Sequence, residues 1–150
     1  KNKKSLDTFL VVFILGAVKA YRRNYIDLTI LEYYIFSMLI RLMCRKAHLS
    51  DKLLNIIGDG MSLEDVDEWM ARRIPIPPLN DMLDDIECSS WIALIERELE
   101  GNTLSEVLKI STHDEKKFGI YFFTDYVEEI FWALFLLGLY EVLQKPEFIS

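Results

Sequence analysis

Residues 9–18, FLVVFILGAV, form the strongest apolar run in the chain and contain no charged side chain. A second run of the same kind, IFWALFLLGLY, covers residues 130–140. Each run has only about half of the roughly 20 residues that a membrane-spanning helix needs. The longer apolar window at residues 26–44 contains charged side chains, which are costly inside a bilayer. The sequence therefore predicts buried helices of a folded core rather than membrane spans.

The composition fits one folded domain. The chain has 150 residues, of which 51% are hydrophobic. A domain of this length can bury roughly 68–70% of the surface of its unfolded chain, so the apolar content is sufficient for a full core. Helix start signals recur along the chain, while alternating strand patterns with hairpin turns do not. We therefore predict an all-α, single-domain, compact helical bundle over residues 1–150, with about six to eight helices.

Capping residues and breakers locate the individual helices. We expect a first helix that is capped by Ser5 and runs to about Tyr21. A long helix over residues 27–46 should be central, because only a narrow stripe of it is polar, and Thr29 with Glu32 has the spacing of a capping box near its start. We expect further helices at residues 50–57, 63–73, 79–87, 90–100 and 125–144, and two more that begin at residues 103 and 112. The helix at residues 50–57 should end at the Gly-Asp-Gly of residues 58–60. A short strand is the alternative for residues 118–123.

The two cysteines and the first residues bear on the cellular compartment. Cys44 and Cys88 lie in apolar helical patterns and have no spacing typical of a metal site. We expect both to be buried free thiols, which fits a reducing cytoplasm. No secretory signal pattern follows the first four residues, KNKK. The sequence therefore predicts a cytoplasmic protein.

Basic and acidic residues are distributed unevenly along the chain. Residues 1–58 contain ten Lys or Arg and four Asp or Glu, a net charge of +6. Residues 59–150 contain seven Lys or Arg and twenty Asp or Glu, a net charge of −13, which brings the whole chain to −7. We expect a molecule with an uneven surface charge distribution and one acidic side. That side should repel nucleic-acid phosphates and attract a basic protein.

Acidic residues are densest in residues 59–87, DGMSLEDVDEWMARRIPIPPLNDMLDDIE. Such a run can be a solvated helix face, a metal site or a surface for a basic partner. Two helices joined by the PIPP of residues 75–78 would present their acids as one patch if they packed as neighbours, and the repulsion would favour a compensating partner. Trp69 is a candidate apolar anchor, although a core position is equally open. The predicted partner-binding residues are Asp59, Glu64, Asp65, Asp67, Glu68, Trp69, Asp81, Asp84, Asp85 and Glu87, with Asp125, Glu128 and Glu129 as the second choice.

One enzyme hypothesis is open. The spacing of Glu64, Asp65 and Glu68, followed by Asp81 and Asp84, is similar to the acidic pattern of all-α nucleoside triphosphate pyrophosphatases, which implies Mg²⁺ held by carboxylates. Three prolines separate the two halves of the pattern, and acids are favoured in the first turn of any helix. No basic cluster that could hold a triphosphate lies nearby. These features favour a protein that is not an enzyme.

Other catalytic and metal-binding patterns are missing from the sequence. His48 and His113 are far apart and belong to no metal-binding motif. The glycines form no phosphate-binding loop, and Gly16 and Gly138 are better explained by close approach between helices. We therefore predict no metal, no cofactor and no catalytic residue.

The small size, the acidic charge, the expected cytoplasmic location and the lack of a catalytic set together resemble bacterial immunity proteins. Bacteria make these proteins against their own or their neighbours' toxins, including those of contact-dependent growth inhibition systems. The resemblance is one of character over the whole chain, without an aligned motif. It implies a basic protein toxin as the partner, often a nuclease, whose cleft is covered by acidic side chains that mimic phosphate. Electrostatic steering and a few buried anchors would drive association.

A third hypothesis is a helical adaptor or regulator that pairs through apolar faces. It predicts a homodimer that is insensitive to salt, because apolar burial does not depend on charge screening. The sequence itself predicts no particular oligomeric state.

Overall fold

The computed structural model describes residues 2–63, 79–99 and 128–145. The helices in these ranges are α1 (Asn2–Arg22), α2 (Leu28–Tyr34), α3 (Met38–Lys46), α4 (Asp51–Met61), α5 (Leu79–Leu99) and α6 (Glu128–Leu143). These ranges contain no strand, so the predicted all-α class is confirmed. Some predictions lie outside the described residues. These are the helices expected from residues 103 and 112, most of the helix at 63–73, and the alternative strand at 118–123.

Helix α1 is the centre of the fold. Every residue from Phe9 to Val18 is buried, which confirms the prediction for the first apolar run. The helix packs most extensively on α6 and also contacts α5, α2 and α4. The rings of Phe9 and Phe135 stack with their centroids 4.2 Å apart. Across residues 2–63, 79–99 and 128–145, no helix has both the length and the hydropathy of a membrane span.

Two glycines allow α1 and α6 to approach each other closely. A Cβ atom placed on Gly16 would lie 2.6 Å from the backbone nitrogen of Gly138 and nearer still to the carbonyl oxygen of Leu134. A Cβ atom placed on Gly138 would lie 2.8 Å from the backbone nitrogen of Gly16. The backbones are therefore in mutual contact at these two positions, as the sequence predicts. No other residue type fits either position without separating the helices.

The predicted long central helix over residues 27–46 is wrong. The segment forms two helices, because Asp27 caps α2 by accepting from the backbone N–H of Ile30 at 2.9 Å, and Ser37 caps α3 by accepting from that of Ile40 at 3.2 Å. Thr29 lies inside α2 rather than at a capping position. The break at Ser37 turns Phe36 into the core, where its ring packs directly against Gly60. Helix α3 is peripheral instead of central, and its exposed residues include Met38, Leu39 and Leu42.

Three other helix boundaries differ from the predictions. Helix α1 begins at Asn2, which places Ser5 inside it. Helix α4 continues through Gly58 and Gly60 to Met61, because the space above Gly60 is filled by the Phe36 ring. Helix α5 runs without interruption through residues 88–90, where the hydroxyl of Ser90 donates to the carbonyl of Ile86 at 2.8 Å. A serine satisfied in this way does not need to end a helix.

A buried carboxylate connects α1 to the start of α4. Asp7 is only 2% exposed, and its Oδ2 accepts from the backbone N–H of Ser50 at 2.7 Å. Ser50 in turn caps α4 through the N–H of Leu53. Burial and, secondly, the charge of Asp7 raise the pKa of the Cys44 thiol to about 12. Cys44 is buried as predicted, but the prediction for Cys88 is wrong, because that side chain lies exposed on the outer face of α5.

Candidate acidic interface

Helices α4 and α5 pack side by side and bring together the described part of the predicted acidic surface. We define the acidic interface as Asp59 at the end of α4 with Asp81, Asp84, Asp85 and Glu87 in the first half of α5. Asp59 and the three aspartates of α5 are exposed, and Glu87 is partly buried. The other predicted partner-binding residues lie outside the described residues, as does Asp125 of the second choice. They are Glu64, Asp65, Asp67, Glu68 and Trp69.

Arg22 neutralises one side of the acidic interface from within the protein. Its Nη2 donates to Oδ1 of Asp84 at 2.6 Å, and its Nε lies 2.9 Å from Oε1 of Glu87. Asp84 and Glu87 are three residues apart on α5, so they face the same direction and one guanidinium reaches both. Arg22 is in the last turn of α1, where a cation is also favoured by the helix dipole. These two carboxylates therefore have a structural role besides any role in binding.

The other side of the interface brings like charges together. Partial burial and, secondly, the negative charge of Asp85 raise the pKa of the Asp59 carboxyl above its ordinary value of 3.8. Asp59 and Asp85 belong to different helices, so the packing of α4 on α5 brings their charges close enough to repel each other. Within the described part of the chain, neither residue forms an ion pair, and the same is true of Asp81. Three carboxylates in the described part of this surface thus have no paired cation.

The uneven charge of the two parts of the chain is partly balanced inside the fold. Each ion pair among the described residues joins a cation from residues 1–58 to an acid from residues 59–150. Lys52 of α4 pairs with Glu96 of α5. Lys19 and Arg23 of α1 lie 3.9 Å and 3.8 Å from the carboxylate of Glu141 in α6. Among the described residues, the charge is therefore more evenly balanced than the sequence suggests, and these pairs leave Asp59, Asp81 and Asp85 of the acidic interface without a cation.

The structure also bears on the pyrophosphatase pattern. Asp84, one of the two acids that the pattern places on α5, is held by Arg22. An ammonium or guanidinium partner competes with a divalent cation for the same carboxylate oxygens. In the described ranges, no group of three His, Cys, Asp or Glu side chains is arranged to hold a metal ion. Glu64, Asp65 and Glu68 lie outside those ranges, so the first half of the pattern stays a prediction.

Arg22 is the important residue that the sequence did not single out. It is 62 positions from Asp84, and a cation at the end of an apolar helix has no local pattern that identifies its partner. Its position in the last turn of α1 was a weak signal, since basic residues are common there for electrostatic reasons alone.

A comparison with known families gives one match. The sequence model of the family described as "Protein of unknown function (DUF3969)" matches residues 1–109. This range includes α1 to α5 and the whole acidic interface. No curated protein and no solved structure matches the chain.

Proposed function

Because the chain belongs to the DUF3969 family, which is described only as of unknown function, we propose its function from the acidic interface: it binds and neutralises a basic partner protein. The observation that carries the proposal is that Asp59 and Asp85 lie on the packed helices α4 and α5, near enough for the charge of Asp85 to raise the pKa of Asp59, and that neither forms an ion pair among the described residues. Like charges brought together in this way oppose folding, whereas a bound cation reverses the sign of their contribution.

The Arg22 site illustrates the kind of contact that the partner would make. One guanidinium there binds two carboxylates of α5, at 2.6 Å and 2.9 Å. An arginine of the partner would bind Asp59 and Asp85 in the same way, with Asp81 one helical turn before Asp85. Arginine is suited to such a site because its planar fork has five N–H donors.

We further propose that the partner is a protein toxin, such as a nuclease, and that the chain acts as its immunity protein. A nuclease cleft carries Lys and Arg to hold phosphates, so a compact set of carboxylates is complementary to it. Binding there would exclude the nucleic acid without any chemical step. Exposed charges would accelerate the encounter, and the residues buried at the centre of the interface would supply most of the affinity.

The experiment uses the partner recovered by affinity capture from the native host. Its association rate with the immobilised full-length chain is measured from 50 to 500 mM NaCl. We expect the rate to fall steeply with salt and to drop by roughly tenfold or more in the variant D59N/D85N, because steering raises association rates by about 10 to 1,000-fold. Asp51 lies at the opposite end of α4, so D51N is the matched control and should keep most of the wild-type rate.

A rate that is independent of salt, or that falls equally in D51N and D59N/D85N, would show that the acidic interface is not the binding surface. Circular dichroism of each variant establishes that the helices are retained. A partner that still binds the double variant at the wild-type rate would overturn the proposal outright.

A second function, pairing with another copy as a helical adaptor, is favoured by one observation. Helix α6 exposes Leu136, Tyr140 and Leu143, which share one face at a spacing of three to four residues. Light scattering coupled to size exclusion would show a dimer at both low and high salt if this face pairs. A monomer over a 100-fold range of protein concentration would rule this function out.

A further inference from the structure

A basic groove lies between the end of α3 and the start of α4, away from the acidic interface. Its volume is about 570 Å³, within the range typical of small-molecule sites. Two buried leucines form its apolar part, and polar side chains complete it. The lining residues are Arg41, Arg45, His48, Leu49, Asp51, Leu54 and Asn55.

Arg41 is fixed in position at the wall of the groove. Its Nε donates to the carbonyl of Leu54 at 3.1 Å, which anchors the guanidinium on α4. The guanidinium passes over Gly58, where an added Cβ atom would lie 3.5 Å from Nε, an ordinary contact distance. An arginine held through one N–H keeps its other donors for a ligand and loses less conformational freedom when a ligand binds.

Arg45 lies one helical turn after Arg41 and lines the same groove. Among the described residues, neither arginine forms an ion pair, although Arg22 and Lys52 both do. Two unneutralised guanidinium groups at one groove are notable in a chain of net charge −7. Together they match the charge of a dianion better than that of a single carboxylate.

His48 occupies a backbone position that favours glycine. Its φ is 58°, and it closes the end of α3 while the N–H of Leu49 donates to the carbonyl of Cys44 at 3.0 Å. Helix α1 ends in the same way at Asn24, with φ 62°, and asparagine is a usual substitute for glycine there. Histidine, like asparagine, is among the residue types that adopt this conformation, and here it places an imidazole in the lining of the groove.

We propose that this groove binds the phosphate group of a small phosphate monoester. The two guanidiniums hold the phosphate oxygens, and the His48 ring and the Asn55 amide supply further donors. The organic part of the ester contacts Leu49 and Leu54. Asp51, the one acid among the described lining residues, reduces affinity for any anion. The site is separate from the acidic interface, so it does not depend on the function proposed above.

The test is isothermal titration calorimetry of the full chain with glycerol phosphate, inorganic phosphate and acetate at constant ionic strength. We expect glycerol phosphate to bind with a dissociation constant below about 1 mM and acetate to bind at least tenfold more weakly. If inorganic phosphate equals glycerol phosphate, the phosphate group alone is recognised. If inorganic phosphate is weaker, the organic part also contributes, and both results support the proposal.

Four variants distinguish a specific site from general attraction. Arg45→Gln should weaken binding by roughly tenfold, because hydrogen bonds to charged groups are strong. Lys46→Gln removes the same charge from the next residue, which is not in the lining, and should leave the affinity within twofold. Asp51→Asn should strengthen binding. His48→Gly should weaken it while the melting temperature stays the same or rises.

The contrary results are equally definite. No heat of binding up to 10 mM glycerol phosphate would overturn the proposal, as would equal affinity for acetate. An equal loss in Arg45→Gln and Lys46→Gln would show non-specific attraction to the basic end of α3.

Discussion

Arg22 and Asp84 lie 62 positions apart in the chain, and in the fold the Nη2 of the arginine is 2.6 Å from the carboxylate of the aspartate. This contact joins the end of the central helix to the acidic start of α5. Glu87 completes the site from the next helical turn, 2.9 Å from the arginine Nε. Arg22 therefore neutralises Asp84 and Glu87 within the protein, whereas Asp81 and Asp85 have no ion pair among the described residues and remain for a partner.

Replacing this arginine should destabilise the protein. The variant R22Q leaves Asp84 and Glu87 without a cation, and we expect it to lower the free energy of unfolding by about 1 kcal/mol, the upper end for partly exposed pairs. Urea denaturation followed by circular dichroism measures the change. R23Q is the control, because Arg23 lies 3.8 Å from Glu141 and is more exposed. If R22Q and R23Q cost the same, Arg22 has no special role.

The glycine contact between α1 and α6 should be the least tolerant place in the described fold. G16A puts a methyl group against the backbone of Leu134 and Gly138, so we expect a loss of about 3 kcal/mol or more. G58A is the matched control, since its Cβ would make only an ordinary contact, and it should stabilise α4 by roughly 0.5–1 kcal/mol. Thermal denaturation of both variants checks the prediction. Equal melting temperatures would contradict the close crossing.

Asp59 should make the fold less stable as its carboxyl ionises. Its folded pKa is raised above 3.8, so its contribution favours the fold below that pH and is lost as the pH rises through the folded pKa. At pH 7, D59N should therefore be more stable than the wild type by a few tenths of a kcal/mol, the scale of exposed like-charge pairs. At pH 3 the difference should vanish. A D59N variant less stable than the wild type at pH 7 would refute the idea that burial and the charge of Asp85 disfavour the ionised Asp59 carboxyl.

The two cysteines should differ sharply in reactivity. Cys88 is exposed, whereas Cys44 is buried and has a pKa of about 12. A thiol reagent at pH 8 should label one cysteine quickly, and C88S should abolish that fast phase. Both thiols of the wild type should react in denaturant. Above pH 9 the unfolded Cys44 ionises while the folded one stays neutral, so its contribution to stability falls as the pH rises. A fast phase that survives in C88S would contradict the burial of Cys44.

The sequence was a good guide wherever one local property was decisive. The unbroken apolar run from Phe9 to Val18 leaves burial as the only stable outcome in water, and glycines in apolar helices, such as Gly16, indicate close helix approach. The helix break at Ser37 was not predicted, because a serine can lie inside a helix or cap one. Which of the two occurs here depends on where Phe36 packs. Gly60 was misleading for the same reason, since the ring above it keeps α4 continuous.

The candidate site was less predictable than the fold. The density of acids at residues 81–87 is visible in the sequence. The sequence does not show which of these acids are paired with Arg22 and which have no cation. Whether an acid of α5 meets Arg22 or Asp59 depends on how α1, α4 and α5 pack, and no spacing in the chain encodes that packing. The same holds for the basic groove, in which Arg41 and Asn55 come from different helices.

Affinity capture from the native host tests the central claim most directly. Tagged wild-type chain, D51N and D59N/D85N are used as bait in parallel, and the recovered proteins are quantified by mass spectrometry. We predict that one basic protein is enriched with the wild type and D51N, is released by raised salt, and is depleted by roughly tenfold or more with D59N/D85N. Recovery of the same partner in equal amounts with all three baits would contradict the claim that Asp59 and Asp85 form the binding surface.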